Sequence, residues 1–129
     1  MKVVALDYGA ARTGVAVSDP TGTVARPLEV VERAASEAGL ARLRELISDE
    51  AAERVVVGLP LTLRGERGEQ ARETERFADA LRQVVDVPVD LFDERFTTDL
   101  AEGGGRAAED ARAAAHLLAS YLEWSSRPG

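Results

Sequence analysis

The sequence predicts a single α/β domain built on a five-stranded mixed sheet flanked by helices, and three observations predict it. Five apolar runs of strand length are bounded by Gly, Pro or Asp. Helical periodicities fall between and after the later runs. The order is three strands in close succession, then helix, strand, helix, strand, helix, which describes an antiparallel meander leading into right-handed βαβ crossovers.

Taken in order, the strands are expected at 3–6, 15–18, 25–31, 54–59 and 87–92. The first helix follows from Leu40, Leu43, Leu46 and Ile47, which share one face, and the second from Ala71, Thr74, Phe77, Ala78, Leu81 and Val85. The third is expected from about Ala107 to Trp124, with Tyr121 and Trp124 completing the core. The irregular places are YGAARTG, the turn from Pro20 to Gly22, the loop PLTLRGERGE and the glycines at 103–105. One domain over 1–124 and a frayed tail at 125–129 complete the reading.

At 129 residues, 45% hydrophobic and 30% charged, the chain suits one core that buries roughly two thirds of its unfolded surface. No apolar stretch approaches the ~20 residues that cross a bilayer, and MKVVALDYGAARTG contains no signal-peptide core, so a cytoplasmic protein without membrane contact is expected. The absence of cysteine excludes disulfides, thiolate catalysis and Cys-ligated zinc, and one histidine cannot build a His-rich metal site. Any metal must be held by oxygen. Lys2 is the only lysine, so positive charge is almost wholly arginine, whose planar fork suits phosphate. A net charge of -7 argues against long-range attraction to nucleic acid, unless carboxylates hold divalent cations that reverse the local field.

Three places carry candidate chemistry. Asp7 closes the first strand ahead of a turn containing Gly9, Arg12 and Gly14, where a carboxylate is pinned while its oxygens stay accessible. The alternative is an ordinary turn in which the two glycines supply positive φ. LFDERFTT follows the last strand, and strand alternation lets only one of Asp93 and Glu94 face the crevice of Asp7. Asp93 or Thr97 could instead cap the next helix. Asp110 shares a helical stripe with Ala114, Leu117 and Tyr121, the face that must pack on the sheet, and small residues beside it would bring it close. Its other reading is a favourable charge near a helix N-terminus.

Converging carboxylates repel one another unless cations are present, and an all-oxygen set favours Mg²⁺ or Mn²⁺, two ions in the usual arrangement for phosphodiester hydrolysis. Arg12 and Arg95 would orient phosphates, and Arg64 and Arg67 lie on a loop that could cover the substrate or merely connect two elements.

With LDYGAARTGVAVSD, VVVGLPLTLRGERGEQA, LFDERFTT and D-x-x-A-A-A-H-L-L-A-S-Y-L in this order, the chain resembles the YqgF/RuvX family over nearly its whole length. The resemblance implies an RNase H-like fold, a divalent-metal carboxylate site, and endonuclease action on the 5′ end of pre-16S rRNA in ribosome biogenesis. It also implies Asp7, Glu94 and Asp110 as the catalytic and metal-binding acids, with Arg12, Asp19, Arg95 and Thr98 at accompanying motif positions. One departure is the short segment FTTDLAEGGGRAAE, where the family usually has a longer, often lysine-rich stretch. Two alternatives stay open: a resolvase of four-way DNA junctions, which should be a two-fold homodimer, and an inactive nucleic-acid or protein binding module. Expected partners are structured nucleic acid, either precursor rRNA or a four-way junction, with a second copy or ribosome-associated proteins also open.

Overall fold

The computed structural model describes residues 1–62, 64–94 and 106–126, the side chains of 106–108 excepted. Its elements are β1 (Val3–Asp7), β2 (Arg12–Ser18), β3 (Ala25–Glu32), α1 (Glu37–Asp49), β4 (Arg54–Leu59), α2 (Glu69–Arg82), β5 (Val89–Asp93) and α3 (Arg106–Ser125). The strands form one sheet in the order β3-β2-β1-β4-β5. β1–β2 and β2–β3 pair antiparallel, whereas β1–β4 and β4–β5 pair parallel, so the expected meander and crossovers are both present.

β1 and β4 lie inside the sheet and are covered on both faces, which is why they read as continuous apolar runs rather than alternating ones. Val4, Leu6, Val55 and Val57 face α1 and α2 through Leu43, Leu46, Ile47, Phe77 and Leu81. Val3, Ala5, Ala16, Val56 and Phe92 face α3 through Ala114, Leu117, Leu118 and Leu122. Ser36 caps α1, accepting a hydrogen bond from the Gly39 amide at 3.0 Å.

The structure corrects several sequence expectations. β2 begins at Arg12 rather than at 15, because Arg12, Thr13 and Gly14 pair with Glu32, Val31 and Val30 although they carry no apolar signal. β5 begins at Val89, two residues later than expected, and runs through Asp93. Trp124 is 53% exposed. It sits at the end of α3, a helix that packs on β1, β2 and β3 more than on β4, and its ring lies beside Phe92 and Tyr121. Neither Gly9 nor Gly14 has positive φ; among the described glycines that conformation belongs to Gly22 and Gly65. Among the described residues no helix is long and apolar enough to cross a membrane.

Candidate active site

The C-terminal ends of the three parallel strands meet at one edge of the sheet, where open α/β sheets place their ligands. Alternation along β1 puts Asp7 on the α3 side with Val3 and Ala5; along β4 it puts Gly58 there with Val56; beyond β5 it puts Glu94 there with Phe92. The three positions lie across adjacent strands, with Gly58 in the middle. A Cβ on Gly58 would lie 2.6 Å from Glu94 Oε1 and 2.8 Å from its Cγ. The bare backbone of β4 is therefore what lets Glu94 reach across and hydrogen-bond Asp7.

The electrostatics of this pair follow from its burial. Loss of water raises the Asp7 pKa, the hydrogen bond from Glu94 lowers it, and the charge of Asp110 raises it again. Glu94 is pushed up to about 7, first by burial and then by the charge and hydrogen bond of Asp7 and the charge of Asp93. When Glu94 is protonated, its carboxyl donates to the Asp7 carboxylate, which is why the contact raises the pKa of Glu94 and lowers that of Asp7.

Asp110 approaches from α3. Its Oδ2 accepts a hydrogen bond from Arg12 Nε at 2.7 Å, an ion pair that ties the second turn of the helix to the start of β2. Among the described residues no three His, Cys, Asp or Glu side chains stand together as a metal cluster. The acids are split into a hydrogen-bonded pair and an arginine-bound third.

The turn after Asp7 is held from within. The buried hydroxyl of Thr13 donates to the Gly9 carbonyl and accepts from the Gly9 amide, both at 3.3 Å. Tyr8 stacks on Phe77 of α2, ring centroids 4.4 Å apart. A hollow of about 290 Å³ opens beside Asp7 and Glu94, completed by the turn from Tyr8 to Ala10, by Pro60, and by Gln70, Glu73 and Thr74 of α2.

Other candidate residues fare differently. Arg67 donates through Nε and Nη2 to Glu75 Oε1 at 3.0 and 2.7 Å, and Arg64 is exposed on the loop before α2. Arg95, Thr97 and Thr98 lie outside the described residues. Asp93 lines a separate hollow with Arg54, Phe92 and Trp124. Asp19 is a turn residue: its carboxylate accepts from the Thr21 hydroxyl and from the amides of Val24 and Thr23 at 2.9 and 2.8 Å, which together hold its pKa far below the ordinary range, the hydroxyl most of all. Sequence reasoning missed Gly58 and Thr13, and it assigned Gly14 the wrong task. The usable signal was a glycine inside a buried strand, which marks close approach of another group.

A five-stranded mixed sheet with acids at the ends of its parallel strands and on the closing helix defines an RNase H-like protein. The RuvC resolvase of T. thermophilus, solved with a Holliday junction, shares this fold with a TM-score of 0.62, covering 98% of this chain and 97% of that one at 20% identity. The chain belongs to the RuvX family, described as Holliday junction resolvase, whose profile matches residues 1–124. A relative from Chloroflexus aurantiacus, named as a candidate pre-16S rRNA nuclease, is 46% identical over 78% of this chain and 65% of its own length. A relative of the same name from Chloroflexus aggregans is 40% identical over 98% of this chain and 96% of its own.

Proposed function

We propose that the protein is a divalent-metal-dependent endonuclease that hydrolyses phosphodiester bonds of structured RNA, acting on the precursor of 16S rRNA. Asp7, Glu94 and Asp110 are the acids that would hold the metal. The observation that carries this reading is the contact between Asp7 and Glu94, two half-buried carboxyls hydrogen-bonded to each other at the strand ends with Asp110 close enough to raise the Asp7 pKa. Such an arrangement is unfavourable for folding alone. Its hard oxygen donors fit Mg²⁺ or Mn²⁺, and two ions bound there would supply Lewis-acid activation of water and relief of charge on the phosphate.

This chain's own residues do the rest. Gly58 and the Thr13-held turn keep Glu94 and Asp7 in one line, so two carboxylates are pre-aligned before substrate arrives. Arg12 holds Asp110 at the edge of the site and, once released, can meet a phosphate oxygen. Arg64 and Arg67 stand on the loop before α2 as phosphate contacts, and Arg95 and Thr98 follow Glu94 directly in the chain. The net charge of -7 makes bound cations a condition for substrate approach. Relatives named for pre-16S rRNA support the choice of RNA and of a cytoplasmic role beside the ribosome.

The family description and the shared fold of a resolvase solved on its junction favour a second reading, cleavage of four-way DNA by a two-fold dimer. One experiment tests both. End-labelled precursor rRNA fragments and synthetic four-way junctions are incubated with wild type and Asp7→Asn in Mg²⁺, Mn²⁺ or EDTA. Cutting of RNA that requires metal and disappears in the variant is the expected result. Cutting of junctions alone favours the resolvase, and unchanged cutting by Asp7→Asn sinks the site assignment.

A further inference from the structure

The hollow beside Asp7 and Glu94 has a lining that the phosphodiester chemistry does not use. Gln70 and Glu73 stand three residues apart on α2, so they project from one side of the helix into the same space. Among the described residues neither side chain makes a hydrogen bond or an ion pair. Glu73 is half-buried, and its charge is close enough to Tyr8 to raise that hydroxyl's pKa, second only to burial. Among the described residues no lysine or arginine lines the hollow.

These groups choose among the parts of a nucleotide. On the side formed by Gln70 and Glu73, away from the acids that would hold metal, the Glu73 carboxylate only accepts hydrogen bonds and repels a phosphate. A hydroxyl group fits both residues, since it can donate to Glu73 and accept from the Gln70 amide at once. The one hydroxyl that separates RNA from DNA is the ribose 2′-OH.

Resting on the nuclease reading above, we propose that Gln70 and Glu73 form a ribose-recognition wall that selects RNA by hydrogen-bonding the 2′-OH of the nucleotide beside the scissile phosphate. A deoxyribose in this position leaves the half-buried Glu73 carboxylate facing the strand without a donor from the sugar, so discrimination comes from the lost bond and from the acceptor left without it.

Two measurements test this. The first is equilibrium binding of a labelled single-stranded RNA and of DNA of the same sequence, read by anisotropy with Ca²⁺ present. The second is cleavage, in Mg²⁺ or Mn²⁺, of RNA carrying one 2′-deoxy nucleotide at successive positions around the cut. Wild type is expected to bind RNA about tenfold more tightly, with a single deoxy position beside the cut accounting for most of the difference. In the double variant Gln70→Ala/Glu73→Ala the two strands bind about equally, while Glu73→Gln, which keeps an acceptor, retains part of the preference. Equal binding by wild type, or a preference that survives in the double variant, overturns the proposal; a preference for DNA overturns it in favour of the junction. Ribose preference lost in the variant without any cleavage sinks the nuclease reading and keeps the sugar contact. Cleavage without ribose preference does the reverse, and no binding of either strand overturns both.

Discussion

A Cβ on Gly14 would lie 1.8 Å from the carbonyl oxygen of Asp110, so the second turn of α3 rests on the bare backbone of β2. Gly14 also pairs directly with Asp7 in the sheet. One glycine therefore sets the distance between two of the three acids. Gly14→Ala must push α3 away from the sheet, because the obstacle is backbone and cannot rotate aside. The expected result is a loss of about 1–3 kcal/mol in denaturant unfolding, together with at least a tenfold fall in cleavage.

Gly58→Ala makes a contrasting case. Its new methyl group meets the side chain of Glu94 rather than a backbone, so the carboxyl is displaced while the strand stays in place. Cleavage should fall by tenfold or more with thermal unfolding shifted less than by Gly14→Ala. Equal destabilisation by both substitutions would show that Gly58 supports the sheet and not the position of Glu94.

Acidity should be visible in stability. The Glu94 pKa is about 7 in the folded protein against an ordinary 4.5, and Asp7 shifts in the same direction. Between these values the folded protein holds a proton that the unfolded chain has released, so stability of the metal-free protein rises as pH falls from above 7 towards 4.5 and levels off below. Glu94→Gln should flatten that rise in thermal melts across this pH window. Protons compete with cations at the same oxygens, so divalent-ion affinity measured by titration should fall about tenfold per pH unit below neutrality.

On the proposed reading, Arg67 would reach the substrate only by leaving Glu75, its partner on α2. The ion pair is exposed and therefore weak. Arg67→Ala is expected to raise KM for cleavage several-fold with kcat little changed, and Glu75→Gln to lower KM about twofold at low salt. An unaltered KM in both variants would make the loop a connector.

The mixed sheet and the two helix faces were legible in the sequence because the apolar runs at 3–6 and 54–59 and the stripes at Leu43, Leu46, Phe77 and Leu81 follow burial. The start of β2 was not, since Arg12, Thr13 and Gly14 belong to the sheet through backbone pairing and carry no hydrophobic pattern. Trp124 misled for the opposite reason: an aromatic ring reads as core wherever it falls, whereas only the path of α3 decides that this one reaches past the covered strands. Asp7 and Asp110 could be picked out as acids in places where solvated charge is not expected. Between Asp93 and Glu94 alternation left a choice, and the pairing with Asp7 lies with Glu94. Glycine spacing hides its purpose in one dimension, because the group that occupies the missing side chain's place comes from 96 residues away at Gly14 and 36 at Gly58.

Asp110 belongs to α3, and α3 follows all five strands in the chain. A polypeptide that has emerged from the ribosome only through β5 already holds Asp7 and most of the sheet, but not the helix that carries the third acid. Activity that needs Asp110 begins only once Ala114, Leu117 and Leu118 have docked against the sheet.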